Sequence, residues 1–204
     1  MIPRVFRIVY ALAVLILVIG HFLPWVRPAS AALSLSAHEL AVFTNYTPHA
    51  GVFFNEGFLL PLWAAAVMVA AAARRRILPF LSTFFLLFLA MPGYPELRRM
   101  WDGQGSEFTL QLIAVCVLLP ACAALALQPR VRMPVLRGAA LLGFAAAMVV
   151  VIGFFVVRTL ALVPLYGTAI AVGAGLWMTI GAVILCLSFV VFAKIAPGRI
   201  HRQK

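Results

Sequence analysis

Acidic residues are nearly missing from this chain. Its 204 residues hold five of them, Glu39, Glu56, Glu96, Asp102 and Glu107. Charged residues of both signs make up 10%, where a soluble domain carries roughly 25%. With 65% hydrophobic residues, so little charge cannot cover a water-facing surface, and a separate soluble domain has no room. Cysteine is scarce too. Cys116, Cys122 and Cys186 all lie in apolar runs and form no C-x-x-C pair. Neither a disulfide framework nor a thiolate metal site is expected, and the three read as small packing residues. Catalytic patterns are absent: no G-x-S-x-G, no H-E-x-x-H, no P-loop and no paired acids within an apolar run. Ser82, Thr83, Thr179 and Ser188 have no nearby basic partner and are expected to bond the preceding helical carbonyls. An enzyme is not expected.

What the chain does have is long apolar runs. Residues 8–26, 56–73, 77–92, 108–127, 139–163 and 168–193 are each long enough, or nearly so, to cross a hydrocarbon core of ~30 Å at ~1.5 Å per residue. Every basic residue except Arg27, Arg98, Arg99 and Arg158 falls in the tails or in alternate gaps, around Arg74–Arg76 and around Arg130, Arg132 and Arg137. All five acids fall in the other gaps or at their borders. The positive-inside rule therefore gives one all-α domain over residues 1–204. It is a polytopic protein of six spans with both termini cytoplasmic, in a bacterial-type cytoplasmic membrane. The net charge of +11 follows from that threading and from anionic lipid headgroups, so nucleic acid is not a partner.

Arg4 and Arg7, an apolar run and Ala29-Ser30-Ala31 together resemble a signal peptide. The run is longer than a usual signal core and ends in Pro24-Trp25, which suits an interfacial anchor. We read an uncleaved first helix. The outer loop 27–55 holds Ser36-Ala37-His38-Glu39, a capping box, ahead of Leu40, Val42 and Phe43, so a short interfacial helix is expected there. Thr44–Pro48 reads as a turn, with Thr47-Pro48 a start signal for the second span. Tyr94 and Trp101 suit the headgroup level in the second outer loop. Ala139, Gly143 and Ala147 recur every four residues in the fifth span. Ala169 with Gly173, and Ala171 with Gly175, do so in the sixth. Such stripes let helices approach closely in lipid. No repeat relates the two halves.

Counted outward from the bounding basic ends, His21 lies at ~21 Å, Glu56 at ~27 Å, Gln111 at ~28 Å and Arg158 at ~30 Å. Four polar side chains on four spans thus share one layer, with Asn55 and Thr159 beside it. Ionisable residues in a span are expensive, roughly 2.5–3.5 kcal/mol at the centre and less toward the edge. Glu56 and Arg158 are therefore expected to pair, directly or through water or Gln111. Pro61 cannot bond the carbonyl of Gly57, so the helix should bend or open beside Glu56. The layer is a ligand-binding site, a structural polar layer held by an ion pair, or a set of unpaired groups snorkelling to the outer interface.

His38, Glu39 and His49 are metal candidates on the outer loop, but their spacing matches no tight ligand pattern, and no metal is assigned. His21 could be an axial ligand to haem or a chlorin. No other span offers a second histidine at its depth, so no cofactor is assigned. Asn45-Tyr46-Thr47 matches a glycosylation sequon, but Pro48 follows it and nothing implies a secretory compartment.

In topology the chain resembles the substrate-capture subunits of energy-coupling-factor vitamin transporters, which also have six spans, internal termini and a long first outer loop. That resemblance implies a small-molecule ligand in a pocket covered by the loop. Ala11 and Ala13 do not give the family's A-x-x-x-A spacing, so no site residue is carried over. Leu23-Pro24-Trp25 and Leu35–Ala41 are similar to stretches of small polytopic proteins from filamentous phototrophic bacteria. That similarity implies no function by itself; it keeps an accessory pigment- or haem-associated subunit of an electron-transfer or photosynthetic complex among the alternatives. Beside both stands the leading expectation, a non-enzymatic subunit packing against lipid and other integral membrane proteins.

Overall fold

The computed structural model describes residues 4–28, 34–43, 55–73, 76–92, 94–103, 108–166 and 170–200. Helix α1 (Arg4–Phe22) leads into strand β1 (Pro24–Pro28), strand β2 (Leu35–Ser36) and the short helix α2 (Ala37–Phe43). A 3-10 turn at Asn55–Leu59 runs into α3 (Leu60–Ala72), followed by α4 (Ile77–Leu89), α5 (Tyr94–Trp101) and α6 (Thr109–Ala126). Helix α7 (Met133–Val157) continues through a π-helical turn (Arg158–Leu162) into α8 (Val163–Tyr166). Strand β3 (Ile170–Val172) and α9 (Ala174–Ile200) complete the order.

Among the described residues, four helical stretches are long and apolar enough to cross a membrane: Arg4–Phe22, Thr109–Ala126, Met133–Leu162 and Ala174–Lys194. Glu56–Ala72 and Ile77–Leu89 are apolar but shorter. Such runs become helices because a chain in lipid must bond every backbone group within its own segment. The expected hydroxyl bonds are present: Ser82 donates to the carbonyl of Leu78, Thr83 to that of Pro79 and Thr179 to that of Gly175.

The helices are not equivalent. α1 packs on α9 and α3, and α7 on α9 and α3, forming an inner group. The stripe Ala139, Gly143 and Ala147 is buried in it. A Cβ on Gly143 would lie 2.7 Å from Met68 Sδ and 3.3 Å from Cys186 Sγ, so α7 turns its small residues inward. Tyr10 ties α1 to α3 by donating to the carbonyl of Met68 at 2.9 Å. α4 and α6 flank this group, packing on α3 and on each other.

The all-α expectation is corrected at one end of the bundle. There β2, β1 and β3 form a three-stranded sheet with β1 in the middle. β1 runs antiparallel to both neighbours, with Pro24 opposite Ser36 and Val26 opposite both Leu35 and Val172. The first helix therefore stops at Phe22 rather than residue 26. The residues from 170 to 172, expected inside the sixth span, are strand, and Gly173 donates to the carbonyl of Trp25 at 2.8 Å. Pro24 and Pro28 explain the switch: proline cannot donate to a ladder and is tolerated at a strand's ends, where both stand. The small-residue spacing read across residues 169–175 is thus not one helical face. Two further elements were not foreseen, α5 in the second outer loop and the π-helical turn after Val157. Thr44–Pro48, Ala29–Ala31 and the Asn45 sequon lie outside the described residues.

Candidate functional site

The sheet end of the bundle carries the buried polar residues His21 and Ser36, and Trp25 organises it. Trp25 was expected as an interfacial anchor, but it is fully buried. Its Nε1 donates to the carbonyl of Gly20 at 2.7 Å, and its ring meets Phe154 edge-on at a centroid distance of 5.5 Å and Phe58 at 6.4 Å. The reason is covalent: β1 folds back over the end of α1, which carries the indole inward. Gly175 makes the close approach possible, since a Cβ there would lie 2.7 Å from the Gly20 carbonyl and collide with the indole of Trp25.

Beside this core, α2 presents its capping box as expected. The Ser36 N–H and hydroxyl both donate to Glu39 Oε2, at 2.6 and 2.7 Å, and the Glu39 N–H donates to Ser36 Oγ at 3.3 Å. Glu39 is thereby occupied with starting the helix. Leu40 and Ala41 are buried, so α2 is packed onto the bundle and is not merely laid on an interface.

The sequence-derived layer divides into two places. Glu56, on the 3-10 turn, and Gln111, on the first turn of α6, line one small cavity together with His38 of α2. Its volume is about 20 Å³, room for one water molecule. Gln111 Nε2 also donates to the carbonyl of Ala90 at 2.9 Å, satisfying an open carbonyl at the end of α4. Glu56 stands in a 3-10 turn and Pro61 in the first turn of α3, where its missing N–H breaks no helical bond, so the chain is wound more tightly there and not opened as expected.

Arg158 is elsewhere. Its Nη2 donates to the carbonyl of Ile170 at 3.2 Å, tying the end of α7 to β3, and its buried Nε has no partner among the described residues. Among those residues no ion pair joins it to Glu56, so the expected pairing is replaced by a backbone bond. The Val163 N–H reaches back to the Arg158 carbonyl, which is the π spacing. Thr159 donates to its own helix, at the carbonyl of Phe155.

His21 has no exposed surface, and neither of its ring nitrogens has a partner among the described residues. Its ring stands 5.8 Å from that of His38, inclined at 72°, and 4.9 Å from that of Phe22. His38 Nδ1 is likewise buried without a partner. Burial lowers the pKa of His38, while the charges of Glu39 and Glu96 act to raise it. The sequence missed this neighbourhood because a second histidine was sought on another span. It comes instead from the loop, returned to the end of α1 by the pairing of Pro24 with Ser36. His49 lies outside the described residues. Among those described, no group of three His, Cys, Asp or Glu side chains is placed to hold a metal ion.

No protein-family model, curated protein or solved structure matches this chain.

Proposed function

We propose that the chain is a six-span protein of a bacterial-type cytoplasmic membrane, with both termini inside. In this reading it is a non-enzymatic subunit that packs against other integral membrane proteins. The sheet end, where α1, β1, β3 and α9 meet, faces outward. The described basic groups Arg4, Arg7, Arg76, Arg130, Arg132 and Lys194 belong to the opposite helix ends, where the positive-inside rule asks for them. The pairing of β1 with both neighbours supports an uncleaved α1, since removing that helix would strip α9 and α3 of a packed partner.

The observation that carries the subunit reading is α4. Its 13 residues span only ~20 Å, short of a ~30 Å hydrocarbon core. Ile77, Leu78, Leu81, Phe85 and Phe88 are all exposed along it. A short apolar helix is accommodated by thinning the bilayer or by association with a longer neighbour. Capture of a small solute has less support, because the cavity at His38, Glu56 and Gln111 holds a single water.

The test is photocrosslinking in native membranes with a benzophenone amino acid at Phe85 or Phe88, against a control at Val117 on α6. A discrete protein adduct from α4 but not from Val117 is expected. Lipid adducts alone from both helices would overturn the subunit reading. A ligand that stabilises the purified chain, by about 2.7 kcal/mol at a hundredfold excess over its Kd, would install solute capture in its place.

A further inference from the structure

The two imidazoles at the sheet end leave three buried nitrogens without a partner among the described residues: both of His21 and Nδ1 of His38. A buried polar atom left unpaired forfeits its hydration, and such atoms mark strain, a water or an ion. Three of them on two adjoining rings form the densest such cluster among the described residues. They come from elements with separate reasons to be where they are, α1 and the capped helix α2.

We propose that His21 and His38 form a binding site for one divalent transition-metal ion of the kind that favours imidazole, such as zinc. Two imidazoles sharing an ion through nitrogen stand with centroids about 5.2–6.4 Å apart as the N–metal–N angle opens from tetrahedral to linear, given metal–nitrogen bonds of about 2.0–2.1 Å. The observed 5.8 Å falls inside that range. The ligand type is also right, since neutral imidazole suits zinc, copper and nickel. Burial opposes a positive charge at His38, and the charges of Glu39 and Glu96 act in the other direction, toward a cation. Glu56 lines the cavity that His38 also lines.

The described residues supply no third ligand in place. Two positions would be protein nitrogens, and a water ligand would enter from the His38 side, because His21 itself has no exposed surface. The cavity of about 20 Å³ next to His38 is large enough for one such water. This proposal rests on the geometry of the sheet end and does not depend on which way the chain is threaded or on what packs against α4.

The experiment uses the untagged full chain in detergent, titrated with Co²⁺ and followed by its visible d–d absorption, with Zn²⁺ as competitor. One Co²⁺ per chain, displaced by Zn²⁺, is expected. His38→Ala is expected to weaken binding about tenfold or more, while His201→Ala leaves it unchanged. Because His38→Ala could disturb α2, X-ray absorption on the Co²⁺-loaded wild type gives an independent reading, two imidazole scatterers per metal. A folded wild type that binds neither ion would overturn the proposal, leaving water as the partner of the orphaned nitrogens. So would binding that survives in folded His38→Ala, or a metal shell without two imidazoles.

Discussion

The inner helices and the flanking pair solve opposite problems. Where α1, α3, α7 and α9 meet, the residues are small or shaped to one another: Ala13, Ala65, Ala66, Ala140, Gly143 and Ala147 are buried. Along α4 and α6 the large side chains point away from the protein, with Ile77 78% and Phe88 69% exposed. In water this would be inside-out. In lipid the tails are as apolar as leucine, so burial of a large side chain gives little advantage, and close approach of helices decides what packs. Size rather than hydrophobicity therefore separates the two regions.

Substitutions can sharpen that contrast. The largest effect is expected from Trp25→Ala, which empties the joint between α1, α7 and the sheet. Unfolding in mixed detergent–SDS micelles should show a loss of about 3–5 kcal/mol. Gly143→Leu should follow, at about 1–3 kcal/mol, because the added side chain meets Met68 and Cys186. A neutral Gly143→Leu would mean that α7 does not bury that stripe. Tyr10→Phe removes one buried hydrogen bond and should lower stability by about 1 kcal/mol. The smallest effect is assigned to Phe85→Ala on α4. In detergent it should change stability by no more than about 0.5 kcal/mol, although the same position governs the crosslinking test.

The sheet end adds a pH dependence that the apolar flank lacks. Burial holds the His38 pKa below its ordinary 6.5. The unfolded chain then binds more protons than the folded one just below pH 6.5, so stability rises with pH through that window. Acidification from pH 7.5 to 5.5 should lower the melting temperature. His38→Gln should flatten the response, and a melting temperature that rises on acidification would reverse the assignment.

Local signals were legible in the sequence, and contacts between distant segments were not. Ser36 and Glu39 announce α2 because a capping box spans four residues and needs no tertiary partner. The helical runs and the Gly143 stripe follow from period and side-chain size alone. Trp25 misled because Pro24-Trp25 after an apolar run looks the same whether the chain leaves the membrane or folds back. Only pairing with residues 170–172, far along the chain, decides it. The polar layer was read from depth alone, and depth along a helix says nothing of azimuth. Glu56 and Gln111 turn to one cavity, while Arg158 turns to β3. His38 was legible as a loop residue and not as a neighbour of His21, since that contact depends on the register of Pro24 with Ser36.

The account rests on a bundle whose sheet end faces out and whose arginine end faces in. Cysteine accessibility tests this most directly. In a background lacking Cys116, Cys122 and Cys186, single cysteines at the exposed positions Asp102 and Arg130 are treated with a membrane-impermeant maleimide on intact spheroplasts. Labelling at Asp102→Cys, with Arg130→Cys protected until the membrane is opened, is the predicted result. Labelling of Arg130→Cys in sealed spheroplasts while Asp102→Cys stays protected, or equal labelling of both, would contradict it.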